Sequence, residues 1–166
     1  MSVGGTVLAL CTWLEATPLA VKITESEWLF PTIETVHVLA LTLVVGSIVL
    51  LDLRLLGLAN RNLGAMQLSD ETLPWTWSAF VVAAITGTLM FVSAATKYYG
   101  NVPFRIKMVL LVLAGINMVV FHRGAWRIVH DWDRLVPTPR AVRAAAGLSL
   151  TFWIGVVVAG RWVGFV

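Results

Sequence analysis

Four stretches of apolar residues, almost free of charge, divide the chain at roughly 28–58, 75–98, 103–126 and 140–165. Each matches or exceeds the ~20 residues that a helix needs to cross a ~30 Å hydrocarbon layer. None alternates apolar and polar positions as a barrel strand does. Hydrocarbon offers no partners to backbone N–H and C=O groups, so only helices and closed barrels span it. The pattern therefore predicts an all-α integral membrane protein, an up-down bundle of four transmembrane helices forming one domain over 1–166. A further apolar block at 7–14 is too short to cross, and Glu15, Pro18, Lys22, Glu25 and Glu27 follow it closely. Residues 5–24 read as a short interfacial segment packed against the bundle.

Punctuation along the chain sets the boundaries. Ser26 is an N-cap residue for the first long helix, with Pro31 tolerated in its first turn. The second helix is predicted to open around Pro74 and to end at Lys97 to Gly100. Asn101 and Pro103 open the third, and Pro137 and Pro139 precede the fourth. The short connections make neighbouring helices antiparallel. Small residues mark close helix approach: Gly46 and Ser47, Ala83, Ala84 and Gly87, Ala114 and Gly115, and the pairs Gly155/Ala159 and Gly160/Gly164. The last pair serves either packing within the bundle or a homo-oligomer contact.

Composition agrees with the pattern and narrows the chemistry. The chain has 166 residues, of which 58% are hydrophobic and 13% charged, with a mean hydropathy of +0.85; soluble domains carry about 25% charged residues. The single cysteine, Cys11, excludes an intramolecular disulfide and cysteine-ligated metal or iron–sulfur centres. A net charge of +3 gives no reason to expect a nucleic-acid partner; the lipid bilayer is the partner the composition demands. The N-terminus lacks the basic region and small-residue cleavage site of a signal peptide and is expected to be retained.

Positive charge sets orientation. Arg54, Arg61, Arg123, Arg127, Arg134, Arg140 and Arg143 fall at one end of the bundle. Lys22, Lys97, Arg105, Lys107 and Arg161 fall at the other. Five arginines in the third connection place that end in the cytoplasm and both termini outside, in a multi-pass protein of the bacterial inner membrane. The tryptophans form belts consistent with this arrangement: Trp28 and Trp162 outside, Trp75, Trp77, Trp126 and Trp132 inside.

Few polar side chains remain at membrane depth, and those are where function belongs. Glu34 and His37, three residues apart, share a helix face, and His37 lies ~13 Å below the start of its helix. Three readings of His37 stay open: a ligand to a metal or haem iron with Glu34 beside it, a proton relay without cofactor, or an imidazole hydrogen-bonded to a neighbouring helix. Thr86, Met90 and Ser93 lie at matching depth on the second helix, where Met90 is either a second ligand or packing. Lys107, with Arg105 beside it, either snorkels to the surface or holds an anionic group such as a propionate. At the inner end, Asp52, Arg54, Asn117, His122 and Arg123 read either as an interfacial network or as a second site, with His122 a candidate cofactor-binding residue. His122 lies ~15 Å deeper than His37, so the two are not expected to share one haem.

Trp28, Pro31, Glu34 and His37, followed by Gly46, Asp52, Arg54 and Gly57, resemble an uncharacterised bacterial family of small four-helix membrane proteins. With Thr86, Gly87, Arg105, Lys107, Asn117 and His122 they also resemble, more distantly, the HemJ-type protoporphyrinogen oxidases and the CopD-like membrane domains. The resemblance spans about 30–125 and implies a four-helix core and a b-type haem held by His37, with His122 as a further position matched. The separation of Lys107 from His122 is longer than in the HemJ pattern.

The reading these residues lead to is a small b-type haem membrane protein in electron transfer or membrane redox chemistry, an oxidoreductase if it turns over a substrate. His37 is its axial ligand, Glu34 a neighbouring relay group, Met90 a candidate second ligand, and Arg105 and Lys107 propionate partners. A quinone or a redox partner protein would exchange its electrons. The alternatives are a cofactor-free accessory subunit of a larger membrane complex and a small proton-relay or transport bundle.

Overall fold

In a computed structural model, which describes residues 3–134 and 137–165, the described residues are helical and contain no strand. In chain order the elements are α1 (Val3–Glu15), α2 (Pro18–Glu25), α3 (Leu29–Leu55), α4 (Ala65–Ser93), α5 (Ala95–Gly100), α6 (Val102–Arg123), a 3-10 turn (Ala125–Ile128), α7 (Val129–Trp132) and α8 (Arg140–Trp162). Leu29–Leu55, Ala65–Ser93, Val102–Trp132 and Arg140–Trp162 are each long and apolar enough to cross a membrane. The protein is a multi-pass membrane protein. Residues 1, 2, 135, 136 and 166 of the expected single domain lie outside the described residues.

The packing is two antiparallel hairpins. α3 runs along α4, α6 runs along α8, and the hairpins meet through α3 and α8. α4 and α6 make no comparable contact, so a cleft runs between them. Small residues set the close approaches, because lipid supplies no hydrophobic force to hold helices together. A Cβ on Gly155 would stand 2.9 Å from Leu110 Cδ1, and one on Gly160 would lie 3.8 Å from Lys107 Cδ and Nζ. Gly160 thus packs inside the bundle. Gly46 and Gly115 have nothing within 4 Å of a built Cβ. A mid-bundle core gathers Val44, Ala79, Ala114, Trp153 and Val156.

At the proximal end, where α3 begins, the Asn101 cap read from sequence is in place, its Oδ1 accepting from Phe104 N–H at 2.9 Å. Ser26 is not the N-cap of α3: Trp28 holds that position, while Ser26 closes α2 and its Oγ accepts from Leu29 N–H at 3.2 Å. The expected interfacial segment is two helices bent by 65°, with Thr17 capping the second. By length and apolarity the pair would also pass as one broken span. It leans on α4 and α5. Glu15 Oε1 accepts from Thr96 N–H at 2.8 Å and from Thr96 Oγ1 at 2.7 Å, at the first turn of α5. The second span does not run to 98: it breaks at Ala94 (φ −151°, ψ 44°).

The distal end departs most from the sequence expectation. α4 starts at Ala65, not near 75, and Pro74 lies inside it. The start is capped by a residue far away in sequence. Asp133 Oδ1 accepts from Met66 N–H at 2.7 Å, and the Asp133 carbonyl accepts from Ala65 N–H at 3.1 Å. A carboxylate on a helix N-terminus meets both its orphan donors and its dipole. Gly64 makes room, since a Cβ there would lie 2.6 Å from Asp133 Oδ2. Pro74 costs α4 one backbone hydrogen bond. α6 ends at Arg123, three residues short of 126, and the chain continues through the 3-10 turn and α7. Trp132, expected in an aromatic belt, is instead 2% exposed, its Nε1–H donating to Ala125 O at 2.9 Å. It packs with Leu55, Ala65, Val129, Val142 and Ala146 as a plug that closes this end.

Candidate functional site

His37 sits two turns into α3 on its seam with α4. Its Nδ1 lies 3.0 Å from Thr86 Oγ1. Direction follows from counting protons. Thr86 has one hydroxyl hydrogen, and its Oγ1 lies 2.7 Å from Val82 O and 3.2 Å from Ala83 O, so that proton is used within α4. Toward His37 the hydroxyl oxygen accepts. Nδ1 therefore carries the hydrogen, and Nε2 presents a bare lone pair. This is the tautomer in which a histidine coordinates through Nε2 while a hydrogen bond at Nδ1 fixes its ring.

Gly87 is what lets the ring lie there. A Cβ on Gly87 would stand 3.0 Å from His37 Cε1 and 3.5 Å from Nδ1. From α6, Lys107 brings its charge to bear on His37. The stem of Lys107 passes over Gly160 of α8, so the side chain is half-buried against the bundle. Three helices and the glycine of a fourth thus meet around His37.

The other predicted residues fall at varying distances from this point. Met90 is one turn beyond Thr86 on α4 and half-buried, on the side toward the proximal end. Glu34 is exposed, and its charge is felt at Tyr98 of α5, where burial first and the Glu34 carboxylate second push the phenol above its usual range. Tyr98 lies with its ring centroid 6.3 Å from that of Phe91 and 5.2 Å from that of Phe104. Arg105 is exposed near the start of α6.

His122 is in the other half of the molecule. It is exposed, its Nδ1 lies 2.9 Å from Met118 O, and its ring meets Phe121 edge-on. It lines the same cavity as Asp52, and Asp52 lies fifteen residues, about 22 Å, along α3 from His37. The inner network expected from sequence is divided. Arg54, fully buried, donates from Nε to Leu63 O at 2.6 Å and from Nη2 to Asp133 O at 3.0 Å, binding the distal loops together. Asp52, two residues earlier, points elsewhere, and Asp52 Oδ2 and Arg54 Nη1 are each buried without a hydrogen-bond partner. Sequence reasoning missed Ser149 of α8, the side chain that addresses Asp52, and the cavity itself. The i, i+2 spacing of Asp52 and Arg54, ~200° apart on a helix, was the available signal.

Among the described residues no three or more His, Cys, Asp or Glu side chains converge as a metal-ion site of their own. A lone imidazole with a bare Nε2 suits a group that brings its remaining ligands with it. No curated protein and no solved structure matches the chain. A family model does match, over residues 13–166, and by it the chain belongs to a family of unknown function, DUF6644.

Proposed function

We propose that the protein is a small redox protein of the bacterial inner membrane that carries a b-type haem on His37. The observation supporting this reading is the contact at His37: Nδ1 lies 3.0 Å from Thr86 Oγ1, whose own proton is used within α4, so Nδ1–H donates to it and the Nε2 lone pair is left free. Haem iron asks the protein for only one or two axial ligands, which is what one histidine and a half-buried methionine offer. His37 would supply the first and Met90 the second. Thr86 and Gly87 would fix the imidazole, Lys107 and Arg105 would be the cations for the propionates, and Glu34 would be the neighbouring relay group. Bound haem supplies one-electron chemistry, with its potential set by the axial ligands and by burial. The electrons would pass to or from a lipid-soluble quinone or a partner protein.

The test is a reduced-minus-oxidised absorption spectrum of detergent-purified protein expressed with ample haem. A Soret band with sharp α and β bands is expected in the wild type and absent in His37→Ala. Met90→Leu should retain haem but shift the bands and the potential. A folded, colourless wild type overturns the reading and leaves an accessory subunit or a proton relay through Glu34 and His37.

A further inference from the structure

Between α4 and α6 lies a cavity of about 450 Å³, the size of a pocket for a small organic molecule. It begins about 10 Å along α3 from His37, at Val44, and extends into the distal half of the bundle, to Asp52 about 22 Å away. Its mouth faces the bilayer, because α4 and α6 do not close on one another. Trp77 and Phe80 of α4 and Met108, Val112 and Met118 of α6 line it and are exposed. A ligand would enter sideways from lipid.

The floor is Asp52, 5% exposed, with Oδ2 lacking any hydrogen-bond partner. Arg54 cannot serve it, being turned to the Leu63 and Asp133 carbonyls. No lysine or arginine lines the cavity. His122, on its wall, uses Nδ1 on the Met118 carbonyl. Ser149 on the α8 wall addresses Asp52, Asn117 Nδ2 donates to Ala145 O, and the remaining hydroxyls offer lone pairs. The hydroxyls of Ser47, Thr72 and Thr76 donate to Leu43 O, Leu68 O and Thr72 O within their own helices, so their oxygens can only accept. The other walls are apolar and aromatic, with Trp77, Phe80, Phe121 and Trp153 among them. Ring faces attract cations, most strongly where water is excluded.

We propose that this cavity binds a lipid-soluble organic cation, a protonated lipophilic amine or an onium ion, with Asp52 as its counter-ion. A carboxylate at membrane depth requires a partner, and a cation entering from lipid is the occupant that neutralises it while filling an apolar, aromatic volume. A lipophilic anion would be repelled, and a neutral molecule would gain no more than a hydrogen bond from Asp52, whereas a cation gains from its charge as well. The site is independent of any group on His37.

Radiolabelled tetraphenylphosphonium tests the assignment, with binding measured by equilibrium dialysis of the detergent-purified full chain. Saturable binding is expected, uncontested by neutral triphenylphosphine oxide. Asp52→Asn should weaken it ~30-fold or more, the scale for losing one partner of a buried charge pair. Gly115→Leu is the second variant: Gly115 lines the cavity and has open space beyond its Cβ position, so the leucine fills the pocket and leaves Asp52 in place. Loss of binding in Gly115→Leu with retained folding supports the site. Undiminished affinity in Asp52→Asn or in Gly115→Leu, equal competition by the neutral analogue, or only non-saturable uptake matching empty micelles overturns it.

Discussion

Thr86 has one hydroxyl proton, and its destination decides what His37 can do. If the hydroxyl accepts from Nδ1–H, then Thr86→Val keeps the shape but leaves a buried N–H unsatisfied, at a cost of about 1–3 kcal/mol; Thr86→Ser should be near neutral. Thermal unfolding in detergent separates the two, and equal stability would remove the hydrogen bond from the account. Glycines sort in the same way. Ala at Gly46 or Gly115 meets open space and should stabilise by up to about 1 kcal/mol through helix propensity. Ala at Gly87 drives into His37 and should displace the ring. Tyr98 gives a pH prediction. Its phenol pKa is raised in the folded state by burial and by Glu34, so its contribution to stability is complete below the ordinary tyrosine range near 10. That contribution falls as pH rises through the raised value. Alkaline titration at 295 nm should show a late step that Tyr98→Phe abolishes. The imidazole itself was legible in the sequence because few polar side chains fall at membrane depth, and its hydrogen bond to a neighbouring helix, seen at Thr86, was one of the readings left open. Asp52 was not, because its neighbour Arg54 offered an easy partner that helical geometry turns away.

At the scale of elements, legibility depended on whether the signal was local. Asn101 caps α6 from within its own connection, and Ser26 accepts from the first N–H of α3 although Trp28 is the cap, so both starts could be read within a few residues. The start of α4 could not, because its cap is Asp133, 67 residues away from Met66 in sequence. With no local cap at Gly64, Pro74 stood out as the nearest start signal, yet a proline within a span costs only one hydrogen bond. The break at Ala94 was hidden for a similar reason: Glu15, from another element, satisfies the first turn of α5. These two distant carboxylates predict matched effects. Asp133→Ala removes a side-chain cap and a favourable helix-terminus charge and should lower stability by about 1–2 kcal/mol. Amide exchange should quicken at Ala65 to Leu68 and not in α6. Uniform quickening across the four long helices would mean that Asp133 serves the bundle as a whole and does not act as the cap of α4.

For the whole molecule, the two ends differ in kind, and that difference predicts how the protein sits. The seven basic residues assigned to the distal end include Arg54, which is buried and engaged with carbonyls. The five at the proximal end include Lys107, half-buried against α8. Neither reports on a loop. Setting both aside leaves Arg61, Arg123, Arg127, Arg134, Arg140 and Arg143 against Lys22, Lys97, Arg105 and Arg161, all exposed, so the bias survives as six against four. Orientation follows exposed charge near the span ends, which predicts a distal end in the cytoplasm. The Asp52 cavity would then lie in the inner half of the membrane and His37 in the outer half. The native cysteine, Cys11, is buried and should stay silent, so single cysteines can report the sidedness. Glu27→Cys at the proximal end should react with a membrane-impermeant maleimide on intact expressing cells. Asn62→Cys, in the distal loop between α3 and α4, should react only after permeabilisation. The reverse pattern would invert the molecule, placing the Asp52 cavity in the outer half and the arginine-rich connection outside.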